Sequence, residues 1–208
     1  MQIIKRIERP LVVVMLFLPL FMAGCSNDTV SCQLAEVDSL LVAEQNDSAY
    51  HLIQSLDGNK LTNPEDKAHY YLLKTRIGFL INQPLPSDSL LDLGIEYYKN
   101  VGNQEKLADC YYYKSCRARI DQDYPQAILY GKEAERLAMG TNDTRLQFKF
   151  IENLSYLNGL CGNDLLQLQY AKKALALAQV KYNNYEETIY FICNGPDSHW
   201  CECPDVSC

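Results

Sequence analysis

The sequence predicts an all-α fold, an α-solenoid of about four antiparallel helix pairs, from two observations. First, the stretch over residues 108–178 nearly repeats itself at a shift of 40 residues, as the match of Tyr130 with Tyr170 illustrates. Second, the segment 68–75 matches 108–115 at the same shift. A recurrent period of about 20 to 50 residues is typical of stacked supersecondary units rather than of one globule with a single site.

Apolar spacing and start signals place the individual helices. From Gln33 onwards, apolar residues recur three and four positions apart, which is the pattern of one buried helical face. Asn63-Pro64 combines an N-cap residue with a proline at the first helical position, so a helix should start there. Asp47-Ser48 and Ser87-Asp88 are further start signals. Four asparagines, spaced about 40 residues apart, lie at predicted breaks between helices: Asn63, Asn103, Asn142 and Asn183.

One predicted helix pair has a motif of residue types in a fixed order. It consists of an aromatic residue, a small residue, a turn and two alanines: Tyr111, Ser115, Asp123-Tyr124, Ala127 and Ala134. The order resembles that of tetratricopeptide repeats (TPRs), in which small residues let neighbouring helices approach closely. The next unit keeps Ser155, Ala171 and Ala174 but has Gln167 in place of the first alanine. The resemblance implies elongated TPR-like units, because the period of 40 exceeds the family's period of about 34.

The N-terminus has the pattern of a targeting segment. A basic start precedes an apolar run over residues 11–23, which is too short for a comfortable transmembrane helix, so residues 1–24 are predicted to be a signal peptide. The run ends in Phe21-Met22-Ala23-Gly24-Cys25, which resembles the lipobox of bacterial lipoproteins. That resemblance implies acylation of Cys25, and several acyl chains would anchor the chain stably. The alternative is an ordinary secretory signal with an incidental cysteine.

Downstream of the signal, composition divides the chain into three parts. Residues 25–32 are predicted to be a lipidated polar tether, and Ser26 favours the outer membrane over the inner one. Residues 33–192 form the TPR-like repeat domain. Residues 193–208 are a cysteine-rich irregular tail that starts where a fifth unit should continue. The tail has three interpretations. It is a truncated or out-of-frame end of a longer array, or a disordered or disulfide-tied segment. The third is a metal site with the ligands His199, Cys201, Cys203 and Cys208.

Four Asp-Ser/Thr-aliphatic triplets allow two interpretations. They begin at Asp28, Asp38, Asp47 and Asp88. Helix capping accounts for those at Asp47 and Asp88. The triplets are also similar to those that some Gram-negative anaerobes O-glycosylate on envelope proteins, and Thr29 is then the best candidate.

Charge and motif content exclude several classes of function. The formal charge is −7 for the chain. It is −9 without residues 1–24, which hold three basic and one acidic residue. Such a surface repels nucleic-acid phosphates. No nucleophile elbow, phosphate loop, dinucleotide motif or metalloprotease motif occurs in the sequence, so neither an enzyme nor a cofactor is predicted.

The chain as a whole resembles the TPR lipoproteins of Gram-negative anaerobes. This resemblance implies a lipid-anchored scaffold in the cell envelope that binds a protein or peptide partner in a concave groove lined by the first helix of each pair. Nine residues are expected there: Tyr70, Leu73, Asp109, Tyr112, Cys116, Arg119, Lys149, Glu152 and Tyr156. Among neighbouring tyrosines, Tyr111 is expected in the core and Tyr112 in the groove. The alternative is a metal-binding or redox envelope protein that acts through the tail.

Overall fold

The computed structural model describes residues 27–85 and 87–181, and in these ranges the chain is helical. It forms eight α-helices and one short 3-10 helix there, with no strand. The prediction of an all-α fold is therefore confirmed. The helices are α1 (Asn27–Val42), α2 (Asn46–Ser55), α3 (Pro64–Leu80), α4 (Asp88–Val101), α5 (Gln104–Ile120), α6 (Tyr124–Ala138), α7 (Thr144–Leu160) and α8 (Asp164–Lys181), and the 3-10 helix is Gly58–Lys60.

The 40-residue period of the sequence recurs in the helix boundaries. The helices α3, α5 and α7 each contain 17 residues, and each begins 40 residues after the previous one. The helix α8 likewise begins 40 residues after α6. Among the connections inside a helix pair, the one between α3 and α4 is longer than the others. Seven residues separate α3 from α4, whereas three residues separate α5 from α6 and α7 from α8.

The long helices begin at or next to the regularly spaced asparagines of the sequence. Asn63 and Asn103 are N-caps whose side chains accept hydrogen bonds from Glu65 N–H and Lys106 N–H. In the third unit the cap is Asp143, the residue that follows Asn142. Because a side-chain acceptor satisfies an N–H group that has no partner inside the helix, each cap fixes where its helix begins.

The ends of the odd-numbered helices also share one geometry. A residue with positive φ lies two positions beyond the last helical residue: Glu44, Asn82, Gln122 and Gly162. The N–H of the following residue donates to a carbonyl five positions earlier, as Gln83 N does to Gly78 O at 2.8 Å and Asp123 N to Ala118 O at 2.8 Å. This bond and the left-handed residue are those of a Schellman motif, which satisfies the last carbonyls of a helix.

Three predicted boundaries are corrected by the structure. Residues 27–32, assigned to the tether, belong to α1, because Val30 packs on the core and Ser31 Oγ donates to Asp66 Oδ1 at 2.7 Å. Neither Asp47 nor Asp88 is an N-cap. The caps are Gln45 and Ser87, which make no side-chain cap bond, and both aspartates lie in the first helical turn. There their charge still interacts favourably with the helix dipole.

The core runs along the series of helices rather than around one centre. Each α-helix contacts the next one in the chain, and α1, α3, α5 and α7 also contact one another in succession. One apolar cluster comprises residues from α1 to α3, and a second comprises residues from α3 to α7. Odd-numbered helices therefore lie side by side, which brings equivalent repeat positions together on one surface.

Several predictions concern residues outside the described part of the chain. They are the signal peptide over 1–24, lipidation at Cys25, the start of a fifth unit at Asn183 and the tail over 193–208. Within the described ranges, no helix combines the length and the apolar character that crossing a membrane requires.

Candidate functional site

The odd-numbered helices α3, α5 and α7 differ in charge from the chain as a whole. They contain nine Lys or Arg residues and five Asp or Glu residues, a formal charge of +4. The complete chain has a formal charge of −7. These three helices together thus carry a net positive charge in an acidic chain, although one of their lysines, Lys114, is buried and pairs with Asp92 of α4.

The structure divides the nine predicted groove residues into a buried and a partly exposed group. Tyr70, Leu73, Tyr112 and Cys116 are buried, with 1–5% of their surface exposed. The others are partly exposed: Asp109, Arg119, Lys149, Glu152 and Tyr156. The buried four support the surface from below and do not line an open groove with their side chains.

Of the two neighbouring tyrosines, Tyr111 packs against the core as expected, whereas Tyr112 is buried and does not line a groove. Tyr112 is only 5% exposed and stacks on Phe150, with ring centroids 5.1 Å apart. Tyr111 is partly exposed and faces Tyr130 of α6, with centroids 6.4 Å apart. The reason is that α7 packs over Tyr112, a contact that helical periodicity within α5 alone does not reveal.

Aromatic rings and one carboxylate surround the ammonium group of Lys149. Its ammonium is 4.1 Å from the ring centroid of Tyr112 and 4.9 Å from that of Tyr113. It also donates to Asp109 Oδ1 at 3.4 Å and to Tyr113 Oη at 3.4 Å. Asp109 and Lys149 are one period apart, so this ion pair joins equivalent positions of α5 and α7. Cation–π contacts of this kind hold a partly buried cation in place.

Arg119 connects three odd-numbered helices in a similar way. Its guanidinium lies between two rings, 5.8 Å from the centroid of Phe79 in α3 and 5.5 Å from that of Tyr156 in α7. Phe79 in turn meets Tyr113 edge to face, with centroids 6.1 Å apart. We call the rings that surround the two cations the aromatic row: Phe79, Tyr112, Tyr113, Phe150 and Tyr156.

Sequence reasoning missed three members of the aromatic row, namely Phe79, Tyr113 and Phe150. A signal for Phe79 was present, because it occupies the same repeat position as Arg119 at the 40-residue shift. The stacking of Tyr112 on Phe150 depends on how α5 and α7 pack, and the repeat shift alone does not indicate it.

A pocket of about 360 Å³ adjoins the aromatic row. It lies between the C-terminal ends of α3 and α5. Its lining residues are Gly78, Phe79, Leu80, Asn82, Gln83, Leu85, Arg119 and Ile120. Phe79 and Arg119 belong to both features, so the pocket and the cation–aromatic surface are continuous.

The chemistry of this surface suits binding. Cys110, on the same helix as Tyr112, is fully buried, and burial raises the pKa of its thiol, which keeps it protonated and unreactive. Burial likewise raises the pKa of the Tyr98 phenol. The partly exposed rings of Phe79 and Tyr156, together with the cations of Arg119 and Lys149, instead offer apolar surface and hydrogen-bond donors to a ligand.

Comparisons with family models, curated proteins and solved structures find no match to this chain.

Proposed function

We propose that this chain is a TPR-like helical-repeat scaffold that binds a protein or peptide partner across α3, α5 and α7. The partly exposed side chains of Phe79, Arg119, Lys149 and Tyr156, which come together from the three helices, are the observation that favours this function most. Equivalent positions of successive units contribute to one continuous surface, which is how a repeat array recognises an extended ligand. Action by binding alone, without a catalytic step, is part of the proposal.

The contact pattern supports a solenoid of antiparallel pairs. Helices in the same pair contact each other, each second helix contacts the following first helix, and first helices contact in succession. Small residues lie between them: an added Cβ at Gly131 would be 3.0 Å from Leu154 Cδ2. Pairs that pack this closely form a stiff array, so little conformational entropy would be lost when a partner binds.

The net charge of the three helices favours an acidic partner. The +4 charge of α3, α5 and α7 would attract acidic segments while the acidic remainder of the chain repels them elsewhere. Affinity should therefore fall as salt rises, because a Debye length of about 8 Å at physiological ionic strength screens exposed charges.

Position-specific photo-crosslinking tests the partner surface. A benzophenone amino acid replaces Tyr156 in the mature chain, which is irradiated with envelope extract. The matched control places the same group at Leu129, which is on α6 and 61% exposed. Adducts at position 156 that are absent at 129 and weaken with salt are expected. Equal adducts at both positions, or none at 156, would contradict the proposal.

We also propose that acylation at Cys25 anchors the chain to the cell envelope, with the outer membrane favoured. This proposal depends on the lipobox resemblance of residues 21–25. Cys25→Ser should abolish acylation and release the chain from the membrane fraction. Unchanged processing and unchanged membrane fractionation of the variant would show that Cys25 is not the anchor.

A further inference from the structure

The pocket beside the aromatic row lies at the α3–α4 connection, which is the longest connection inside a helix pair of the described residues. The seven residues between α3 and α4 are four more than the three that join α5 to α6 or α7 to α8. Asn82, Gln83 and Leu85 of this longer connection line the pocket together with the ends of α3 and α5. The extra residues therefore give the α3–α4 unit a concavity next to Arg119.

Backbone contacts fix the described part of this connection. Gln83 N donates to Gly78 O at 2.8 Å, and Arg117 Nη1 donates to Leu85 O at 3.4 Å. Gly78 allows a close approach, since an added Cβ would be 3.3 Å from Leu85 Cδ2. Asn82 has a φ of 58°, the left-handed conformation that closes the Schellman motif. Because these contacts hold the connection in place, the pocket is largely formed before a ligand binds.

The lining combines apolar and polar residues. Phe79, Leu80 and Leu85 provide apolar surface, and Ile120 is 52% exposed. Polar atoms come from the amides of Asn82 and Gln83 and the guanidinium of Arg119. A volume of about 360 Å³ is at the lower end of the range for ligand pockets. One large side chain with its own peptide unit suits this size and this mixture.

We propose that this pocket is an anchor subsite for one Leu-, Met- or Phe-sized side chain of an extended partner peptide. Insertion of that side chain buries Ile120 and the other apolar side chains of the lining. Arg119 donates to the carbonyl oxygens of the peptide, and the amides of Asn82 and Gln83 pair with the neighbouring peptide groups. This inference rests on the proposed function and specifies which kind of partner side chain enters the pocket.

Selection from a random peptide library displayed on phage, with the mature chain as bait, tests this inference. Ile120→Trp fills the mouth of the pocket. Leu160→Trp is the matched control, because Leu160 is 41% exposed and occupies the same repeat position one unit later. Selected peptides should share a Leu, Met or Phe. Ile120→Trp should weaken their binding at least about tenfold, and Leu160→Trp should leave it unchanged.

Alanine substitution within a selected peptide gives a second readout. Replacing its Leu, Met or Phe should weaken binding to the wild-type chain about as much as Ile120→Trp does, and the two changes together should add little. If the two losses of binding free energy add, the apolar residue of the peptide binds outside the pocket, and the proposed anchor subsite is wrong.

The outcomes separate this inference from the proposed function. Peptides that bind equally well to Ile120→Trp and wild type, but lose affinity when Tyr156 is replaced by Ala, would overturn the anchor and leave the binding surface intact. A library that yields no binder would count against both. Equal losses with Ile120→Trp and Leu160→Trp would also overturn the anchor, because the effect would then be unrelated to the pocket.

Discussion

The hydroxyl of Ser115 donates a hydrogen bond of 2.8 Å to the backbone carbonyl of Ala127. The same bond recurs one period later, where Ser155 Oγ donates to Gln167 O at 2.9 Å. The small residue of the repeat motif thus ties the first helix of a pair to the start of the second. Thr75, at the equivalent position in α3, instead bonds Tyr71 O of its own helix at 2.8 Å. The longer α3–α4 connection accounts for this difference, because it shifts the start of α4 relative to α3.

Ser115→Ala should destabilise the chain by about 1 to 3 kcal/mol, because Ser115 is fully buried and also accepts from Asn153 Nδ2 at 3.1 Å. Urea unfolding followed by circular dichroism measures the change in the free energy of unfolding. Ser155→Ala is the matched control, since its bond is solvent-exposed and should contribute less. Equal losses in both variants would show that burial of the Ser115 bond adds nothing.

Phe150→Ala should destabilise the chain by about 3 to 5 kcal/mol, the usual cost of truncating a buried aromatic residue. Phe150 has no exposed surface and supports Tyr112, over which the Lys149 ammonium lies. Leu129→Ala, at a residue 61% exposed, should change stability by less than about 0.5 kcal/mol. Chemical denaturation of both variants checks the contrast. A loss below about 1 kcal/mol for Phe150→Ala would contradict its place in the core.

Asp38→Asn should lower stability in a pH-dependent way. Burial opposes the charge of Asp38, but the hydrogen bond and the charge of His69, with His69 Nε2 at 2.7 Å from Asp38 Oδ2, outweigh it. The charges of Lys106 and Arg76 act in the same direction, and the pKa of Asp38 falls below its ordinary 3.8. A carboxyl whose pKa is lowered by folding stabilises the native state above 3.8, and this contribution is lost as pH falls through the folded pKa.

The difference in unfolding free energy between wild type and Asp38→Asn should therefore be largest above the ordinary pKa of 3.8 and shrink below it. Its size should be under about 1 kcal/mol, because the Asp38 side chain is 40% exposed and solvent screens the pair. Urea melts across this pH range measure it. Glu36→Gln, at an exposed position in the same helix as Asp38, is the control. If the difference in unfolding free energy grew as the pH fell, folding would raise the pKa of Asp38, which would contradict this prediction.

Thiol labelling should separate the cysteines of the described residues into two classes. Cys32 and Cys161 are exposed, whereas Cys110 and Cys116 are buried. Burial also raises the pKa of the Cys110 thiol, which depletes the reactive thiolate. Maleimide should modify the buried pair at least about a thousandfold more slowly than Cys161, since the reagent must wait for unfolding. Peptide mapping by mass spectrometry identifies the sites. Labelling of Cys110 as fast as Cys161 would contradict the packing of α5.

Much of the fold could be predicted from local signals. Asn63-Pro64 and Asn103 mark helix starts because capping is a short-range interaction between a side chain and nearby N–H groups. The same local reasoning was misleading at Asp47 and Asp88, which lie inside their helices. It also assigned residues 27–32 to a tether, because the bond from Ser31 to Asp66 in α3 is a tertiary contact.

The candidate surface was predicted only in part. The repeat shift placed Asp109, Arg119 and Lys149 on one side of successive helices, and the structure brings Asp109 and Lys149 into contact. It could not show that Tyr112 is covered by Phe150 or that Arg119 lies between Phe79 and Tyr156. Those relationships depend on the crossing of neighbouring helices, which the spacing within each helix does not determine.

The sequence by itself determined the helical class, the 40-residue period and most helix starts, because periodicity, caps and small residues act within a few positions of the chain. Only the tertiary structure decided which repeat positions are buried, how the two cations are held by aromatic rings, and that the longer α3–α4 connection leaves a pocket. These features arise where residues 30 to 40 positions apart meet, as Lys149 meets Asp109 and Arg117 meets Leu85. Contacts over such distances are set by packing between helices, and no local signal specifies them.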